Sequence, residues 1–179
     1  MRNNAGSNAR RVTLCAMFCA LGVVLMYLGS IIEVLDLSTA VLASLLGVIV
    51  VIEYGGPWPW AVWGVTGVLS LILLPNKLPG VMYVLFFGFY PLVKEKIESL
   101  PKKGVQWVLK MTVFNVALAI LLVLMNTVLL TEEVAKAIWE LQVIAALLAN
   151  VVFVVYDIAM TRLISLYLFK LRRRFRIGK

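Results

Sequence analysis

The most reactive side chains in this sequence are two cysteines, and they lack the neighbours that catalysis or metal binding needs. Cys15 and Cys19 are four positions apart in one apolar run, so a helix would place them on one face. The chain contains no histidine, and a metal-binding cysteine pair would need further ligands. We interpret both cysteines as small structural residues, the usual role of buried cysteine, and predict neither a metal nor a cofactor.

The carboxylates show no catalytic arrangement either. Glu132 and Glu133 lie together in a short polar segment, where a solvated turn is the simpler interpretation. The charged stretch 94–103 is interpreted in the same way, as a solvated loop. The sequence has no HExxH, no GxSxG and no phosphate-binding loop, so nothing gathers a nucleophile, a base or metal ligands in one place. We predict that the protein is not an enzyme.

The composition indicates a chain that is solvated by lipid. Hydrophobic residues make up 63% of the 179 residues and charged residues 15%, against roughly 45–50% and about 25% in soluble domains. This leaves no room for a sizeable soluble domain. The net charge of +8 does not indicate a nucleic-acid partner, because the basic residues lie in short clusters between apolar runs.

The apolar runs predict an all-α integral membrane protein with a bundle of six transmembrane helices in a single domain, 1–179. A spanning helix needs about 20 mostly apolar residues. The first run is interpreted as a retained span, because its small residues lie near its start and not at a cleavage site. The fourth is short and carries Pro91 near its end, which predicts a kink. The approximate spans are 12–32, 37–52, 58–74, 79–93, 105–130 and 137–165, and a basic cytoplasmic tail follows at 166–179.

The distribution of lysine and arginine predicts the orientation of the spans. If the N-terminus is cytoplasmic, only Lys77 and Lys136 lie at outer ends, and the remaining fifteen basic residues lie at inner ends. Basic residues are retained on the cytoplasmic side. An odd number of spans would put one basic terminus outside. We therefore expect a multi-pass protein of the cell membrane with both termini in the cytoplasm.

Polar side chains inside the apolar runs are the candidates for a buried site, since hydrocarbon makes them costly unless they meet a partner or a wet cavity. Asn115, Asn126, Asn150 and Asp157 lie at this depth. Asp157 is the only acid well inside an apolar run, and we favour a structural role for it, contacting polar groups of neighbouring helices. Asn126 is better placed for a ligand that arrives from outside.

The predicted topology collects further polar and aromatic residues at the outer ends of the helices, where an external small molecule would bind. Trp139 is included because it faces the outside, whereas the other tryptophans are interpreted as membrane-interface anchors. Each of these residues, taken alone, is more often a helix cap or a loop residue. The candidate substrate-binding residues are Glu33, Asp36, Asn76, Lys77, Tyr83, Asn126, Trp139, Glu140, Gln142 and Asn150.

The first helix carries the sharpest local pattern. Ala16 and Ala20 are four positions apart behind Arg10-Arg11, so their small side chains share a face where another helix can approach closely. Cys15, Cys19 and Gly22 are expected to broaden this smooth strip. Packing within the bundle is the ordinary interpretation of such a pattern, and docking of a partner is the alternative.

With this motif, the six spans and both termini inside, the chain resembles the substrate-binding S component of bacterial energy-coupling factor (ECF) transporters. The resemblance implies that Ala16 and Ala20 dock on a transmembrane T component that two cytoplasmic ATPases drive. It also implies capture of a small-molecule micronutrient from outside. The sequence shows no signature of riboflavin, thiamine or biotin binding, so the substrate stays open.

Two other functions stay open from the sequence. One is a helical membrane scaffold or regulatory protein that binds a membrane partner without a solute, with the basic run 172–176 attached to anionic lipid. The other is an intramembrane enzyme with Asp157 as its centre.

Overall fold

The computed structural model describes residues 3–129 and 139–171. For residues 3–7, 33, 128, 129, 139, 170 and 171 it describes the backbone only. Every regular element in these ranges is helical, which confirms the all-α prediction. A 3₁₀ turn at Glu33–Leu35 and π-helical turns at Tyr83–Phe87, Met125–Leu129 and Tyr167–Leu171 accompany the α-helices. The α-helices are α1 (Asn3–Ile31), α2 (Asp36–Glu53), α3 (Trp58–Leu73), α4 (Leu78–Met82), α5 (Tyr90–Glu98), α6 (Lys103–Leu124) and α7 (Trp139–Leu166).

Four helical segments of the described chain are long and apolar enough to cross a membrane. They are Asn8–Ile31, Asp36–Glu53, Lys103–Thr127 and Glu140–Phe169. Helix α3 is also apolar, but its 16 residues extend only about 24 Å, against a hydrocarbon core of about 30 Å. The membrane character of the chain is therefore confirmed, and the count of six spans and the orientation of the termini stay predictions.

The segment predicted as the fourth span is not one continuous α-helix. Helix α4 ends at Met82, a π-helical turn follows, and α5 begins at Tyr90. The Gly88 N–H donates to the Tyr83 carbonyl at 2.7 Å, and a Cβ at Gly88 would lie 2.6–2.7 Å from the Tyr83 and Trp63 rings. Pro91 lies in the first turn of α5, where a helix needs no N–H.

The prediction of a solvated loop over 94–103 is wrong at Lys94. This residue lies inside α5, and only 1% of it is exposed. Tyr90 precedes it by one helical turn and is fully buried. The Lys94 Nζ lies 5.8 Å from the centroid of the Tyr90 ring. The charged composition of the stretch predicted solvent, but the helix turns this lysine toward the interior.

The chain divides into two compact units between Lys96 and Ile97. In the N-terminal unit, α1 packs against both α2 and α3. Val23 and Met26 of α1 form a buried cluster with Ala43, Leu74 and Tyr83. This cluster thus joins α1 and α2 to the residue that follows α3 and to the π-helical turn that follows α4.

Small residues set the distances between the helices of the N-terminal unit. A Cβ at Gly29 of α1 would lie 2.6 Å from Cγ2 of Thr39 in α2. A Cβ at Gly67 of α3 would lie 2.7 Å from Cγ2 of Val84. Real Cβ atoms do not approach other atoms so closely, so these backbones are near one another because the side chain is missing.

The C-terminal unit is built on the antiparallel contact of α6 with α7. Phe114 of α6 stacks on Phe153 of α7, with ring centroids 4.5 Å apart and planes 7° from parallel. Residues 98–100, which precede α6, are hydrogen-bonded to its first turn. The Gln106 amide donates to the carbonyls of Leu100, at 2.7 Å, and Glu98, at 3.3 Å.

Candidate functional site

The ten predicted substrate-binding residues divide equally between the two units. Five lie in the N-terminal unit, at Glu33, Asp36, Asn76, Lys77 and Tyr83, and five lie in the C-terminal unit, at Asn126, Trp139, Glu140, Gln142 and Asn150. Each group is described within its own unit.

Asp36 and Asn76 meet in the N-terminal unit although they are 40 positions apart. Asp36 opens α2, where an acid is favoured by the positive end of the helix. Asn76 lies in the turn that Pro75 begins after α3. Its Nδ2 donates to Asp36 Oδ2 at 2.6 Å, and its Oδ1 accepts from the Leu78 N–H at 3.1 Å. The pair therefore ties the start of α2 to the turn before α4.

Lys77 is the neighbour of this pair in sequence, and its ammonium group caps α3. The Nζ donates to the carbonyls of Leu74, at 2.7 Å, and Ile72, at 3.1 Å. Carbonyls at a helix C-terminus lack partners within the helix, and a lysine satisfies them. Lys77 is exposed, whereas Asp36 is 7% exposed, so the two charges lie in different surroundings.

Tyr83 is a core residue of the N-terminal unit. Only 1% of it is exposed, and it packs in the cluster with Met26 and Leu74. Glu33 belongs to the 3₁₀ turn between α1 and α2, and its side chain lies outside the described residues. The structure thus joins Asp36 and Asn76 directly and places Tyr83 in the adjoining apolar core.

Four amides of the C-terminal unit pair with one another, two from α7 and two from α6 and the π-helical turn that follows it. Asn126 and Gln142 exchange two hydrogen bonds, of 2.8 and 3.4 Å. Asn150 and Asn115 exchange two more, of 2.9 and 3.3 Å. Each amide therefore finds a polar partner on the facing helix, which is how apolar surroundings make such a group tolerable.

The remaining two candidates of this unit lie at the start of α7. Glu140 is exposed in the first turn of α7. Trp139 begins that helix, and its side chain lies outside the described residues. The assignment of all ten residues as substrate contacts stays a prediction.

A buried ionic cluster lies further along the same helix pair, and sequence reasoning missed its central residue. Lys110 of α6 donates to Asp157 Oδ2 of α7 at 2.9 Å and to Glu98 Oε1 at 2.7 Å. The side chains of Lys110 and Asp157 are 7% and 3% exposed, and that of Glu98 is 35% exposed. Asp157 therefore has the interhelical contact that was predicted for it.

Lys110 was counted from the sequence only as one basic residue beside the membrane. The signal that identifies it is its position seven residues inside α6, in a run that is otherwise mostly apolar. A cation and an acid that each lie inside an apolar run are costly unless they have a partner, so a sequence that carries one of each predicts that they pair.

An open groove of about 690 Å³ runs along α6 and is mostly apolar. Trp107, Met111, Asn115 and Ala119 are among its lining residues. Of the predicted substrate-binding residues whose side chains the structure describes, none lines this groove.

The two alanines of the predicted docking strip are exposed on α1. Ala16 and Ala20 lie on one side of the helix, and Cys15, Cys19 and Gly22 are buried on another. The Cys19 thiol faces α3 and approaches the Val62 carbonyl at 3.8 Å. The expectation that the cysteines and the glycine broaden the strip is wrong, because residues one position apart point about 100° away from each other on a helix.

Comparison with known proteins gives no relative. No protein-family model matches the chain, and no curated protein and no solved structure is significantly similar to it. Among the residues that the structure describes, no group of three or more cysteine, aspartate or glutamate side chains is placed to hold a metal ion.

Proposed function

We propose that this protein is a membrane-embedded substrate-binding subunit of an ECF-type uptake transporter. It captures a small-molecule micronutrient outside the cell and docks on a T component that two partner ATPases drive. The observation that carries the proposal is the exposure of Ala16 and Ala20 on one side of α1, while Cys15, Cys19 and Gly22 are buried.

The exposed alanines suit a docking role for a physical reason. Helices in lipid gain little from hydrophobic association, so close van der Waals contact between small residues is a main source of affinity. Two alanines one turn apart let the backbone of a partner helix approach α1. Because the sequence contains no phosphate-binding loop, the energy for uptake comes from the partner ATPases.

The region proposed for capture is the end of the N-terminal unit where Asp36 and Asn76 meet. A carboxylate and an amide joined at 2.6 Å offer acceptors and donors beside an apolar core, as small-molecule sites commonly do. In the proposed topology, with both termini in the cytoplasm, this end faces the outside.

Docking is tested by co-purification from membranes in which the protein is co-expressed with a T component and its two ATPases from the same source. The double variant Ala16→Leu/Ala20→Leu is compared with Ala145→Leu/Ala159→Leu, which enlarges two exposed alanines of α7. We expect the first to lose about tenfold or more of the retained T component, because leucine prevents the close approach.

The control variant is expected to retain the T component as the unchanged protein does. Equal retention by both variants, each with the helical circular dichroism of the unchanged protein, would refute the docking assignment.

Capture is tested by native mass spectrometry of the protein purified from cells grown in rich medium. We expect a bound small molecule whose occupancy falls in Asp36→Asn, because the charge that orients a polar ligand is lost. The control variant is Ser38→Ala, which changes an exposed polar residue of the same helix turn. Occupancy that is unchanged in Asp36→Asn would remove this residue from the site.

A scaffold or regulatory protein without a solute is the second candidate. The observation that favours it is the mutual pairing of the C-terminal amides. The side chains of Asn126, Gln142 and Asn150 all form hydrogen bonds with amides of the facing helical segment. Purification without any small molecule, together with a stable membrane partner other than a T component, would support this candidate over the first.

A further inference from the structure

One end of the N-terminal unit gathers aromatic and basic side chains from α1, α3 and α5 and from the residue that follows α2. Tyr54 and Trp58 pack on a buried cluster that joins α1, α2 and α3. Trp60 of α3 lies 6.0 Å from Phe89, the residue before α5, measured between ring centroids. Together with Arg11 and Lys96, the residues Tyr54, Trp58 and Trp60 are called the basic aromatic end.

Two cations at this end lie over aromatic rings. The Arg11 guanidinium carbon is 6.0 Å from the centroid of the Tyr54 ring, and the Lys96 Nζ is 5.6 Å from that of Trp60. Both distances are within the range of cation–π attraction. Arg11 and Lys96 are exposed, and Trp60 is 38% exposed, so the two pairs lie at the surface.

The opposite end of the same unit differs in charge and in aromatic content. Among the described residues it carries Glu33, Asp36 and Lys77 and no tryptophan, whereas the basic aromatic end carries two of the tryptophans together with Arg11 and Lys96. Tryptophan and tyrosine rings prefer the level of lipid headgroups, where one edge is apolar and the other is wet. A cation held over such a ring lies at the depth of the headgroup phosphates.

We propose that the basic aromatic end binds the phosphate of an anionic phospholipid headgroup. The Arg11 guanidinium donates to the phosphate oxygens, since its planar fork matches them in geometry. Lys96 adds a second positive charge, and Trp60 and Tyr54 hold both cations at the membrane interface. The inference does not depend on the proposed transport function.

A lipid, and not a soluble phosphate, is the occupant that the surroundings favour. The helices next to this end expose large apolar side chains, among them Val12 at 53%, Met17 at 62% and Val65 at 49%. Such a surface is covered by acyl chains, so a lipid gains apolar contact as well as the attraction of its phosphate to the two cations.

The test uses the full-length protein reconstituted in nanodiscs of phosphatidylcholine with increasing fractions of phosphatidylglycerol. Bound phosphatidylglycerol is counted by native mass spectrometry after release of the protein. We expect Arg11→Gln/Lys96→Gln to bind it roughly thirtyfold more weakly than the unchanged protein, as the loss of two interfacial cations implies. The affinity of the unchanged protein is expected to fall as salt is added.

The matched control is Lys77→Gln, which removes one positive charge at the opposite end. We expect it to bind phosphatidylglycerol as the unchanged protein does. An equal loss in Lys77→Gln and in Arg11→Gln alone would overturn the proposal, because net charge and not this end would then determine binding.

A second arm separates the lipid from a soluble phosphate. Glycerol 3-phosphate is added to the protein in phosphatidylcholine nanodiscs, and we expect no bound ligand and no competition with phosphatidylglycerol. Efficient competition would overturn the lipid assignment. The variant Trp60→Leu keeps both charges and is expected to weaken lipid binding severalfold; an unchanged affinity would overturn the role given to the ring.

Discussion

The two units hold their helices together in different ways. In the N-terminal unit, glycines let backbones approach, as Gly29 does beside Thr39 and Gly67 beside Val84. In the C-terminal unit, α6 and α7 meet through polar pairs in antiparallel order, Lys110 with Asp157, Asn115 with Asn150 and Asn126 with Gln142, beside one stacked aromatic pair.

The difference shows two ways in which helices can associate in lipid. Lipid is as apolar as leucine, so burying a leucine between two membrane helices gains little. The N-terminal unit gains dispersion energy from many close contacts. The C-terminal unit gains from a few polar contacts that an apolar solvent cannot replace, and their order along the helices fixes the register of α6 against α7.

The largest expected effect comes from removing Lys110. Lys110→Met leaves the Asp157 carboxylate buried without its cation, and breaking a buried pair in this way costs about 3–5 kcal/mol. The measurement is unfolding of the purified protein in mixed micelles with increasing dodecyl sulfate. The control is Lys103→Met, an exposed lysine at the start of the same helix, and we expect little change there.

The double variant Lys110→Met/Asp157→Leu sharpens this prediction. It removes both charges, and most of the lost stability is expected to return, because two apolar residues of similar volume suit the site. A double variant that is as unstable as Lys110→Met would contradict the interpretation of the pair as mutually compensating.

The second effect tests the close approach in the N-terminal unit. Gly29→Ala places a Cβ against the Thr39 side chain, and we expect a loss of about 1–3 kcal/mol from overpacking. Gly47→Ala, in α2, is the control because the added Cβ would meet no atom within 4 Å apart from the nearby backbone of its own helix. It should be neutral or slightly stabilising, since alanine favours the helix. The same unfolding assay measures both, and equal losses would contradict the role of Gly29.

The third effect concerns the amide pair in the middle of the C-terminal unit. A double-mutant cycle with Asn115→Leu and Asn150→Leu is expected to give a coupling of about 0.6 kcal/mol, and at most about 1.7 kcal/mol, as for other interhelical hydrogen bonds in membranes. Among the described residues, the Thr112 hydroxyl donates to the Val108 carbonyl of its own helix, so a cycle of Thr112→Val with Asn150→Leu should show no coupling. A coupling as large in this control would refute the specific pairing.

The smallest effect is expected at Glu98, the more exposed partner of Lys110. Glu98→Gln should cost less than about 1 kcal/mol, because solvent screens a charge whose side chain is 35% exposed. The loss should shrink further in high salt. A cost equal to that of Lys110→Met would mean that Glu98, and not Asp157, is the main partner of the lysine.

The apolar helices could be predicted from the sequence. The predicted bounds agree best with the helices of the structure where the apolar runs are long. The run predicted over 105–130 corresponds to the apolar segment Lys103–Thr127. The segment 79–93 was harder, because neither its π-helical turn at Tyr83–Phe87 nor the closeness of the Tyr83 and Trp63 rings to Gly88 can be seen in the local sequence. Lys94 was assigned to solvent, since its charge is visible in the sequence and the buried side of α5 is not.

The candidate site was less accessible to sequence reasoning. Asp36 and Asn76 were both named, but nothing in the sequence said that they share a hydrogen bond across 40 positions. Lys110 was overlooked as a partner of Asp157 because a count of basic residues near helix ends does not consider what each one contacts.

The sequence by itself determined that this chain is helical and is solvated by lipid. The free energies of transfer of the side chains from water to hydrocarbon add nearly independently along a run. Local composition is therefore enough to predict which segments lie in lipid. Only the tertiary structure decided that Lys110 meets Asp157, that Ala16 and Ala20 are exposed, and that Cys15 and Cys19 are buried. These outcomes depend on which helix lies beside which, and a contact across 47 positions leaves no trace in the local pattern of residues.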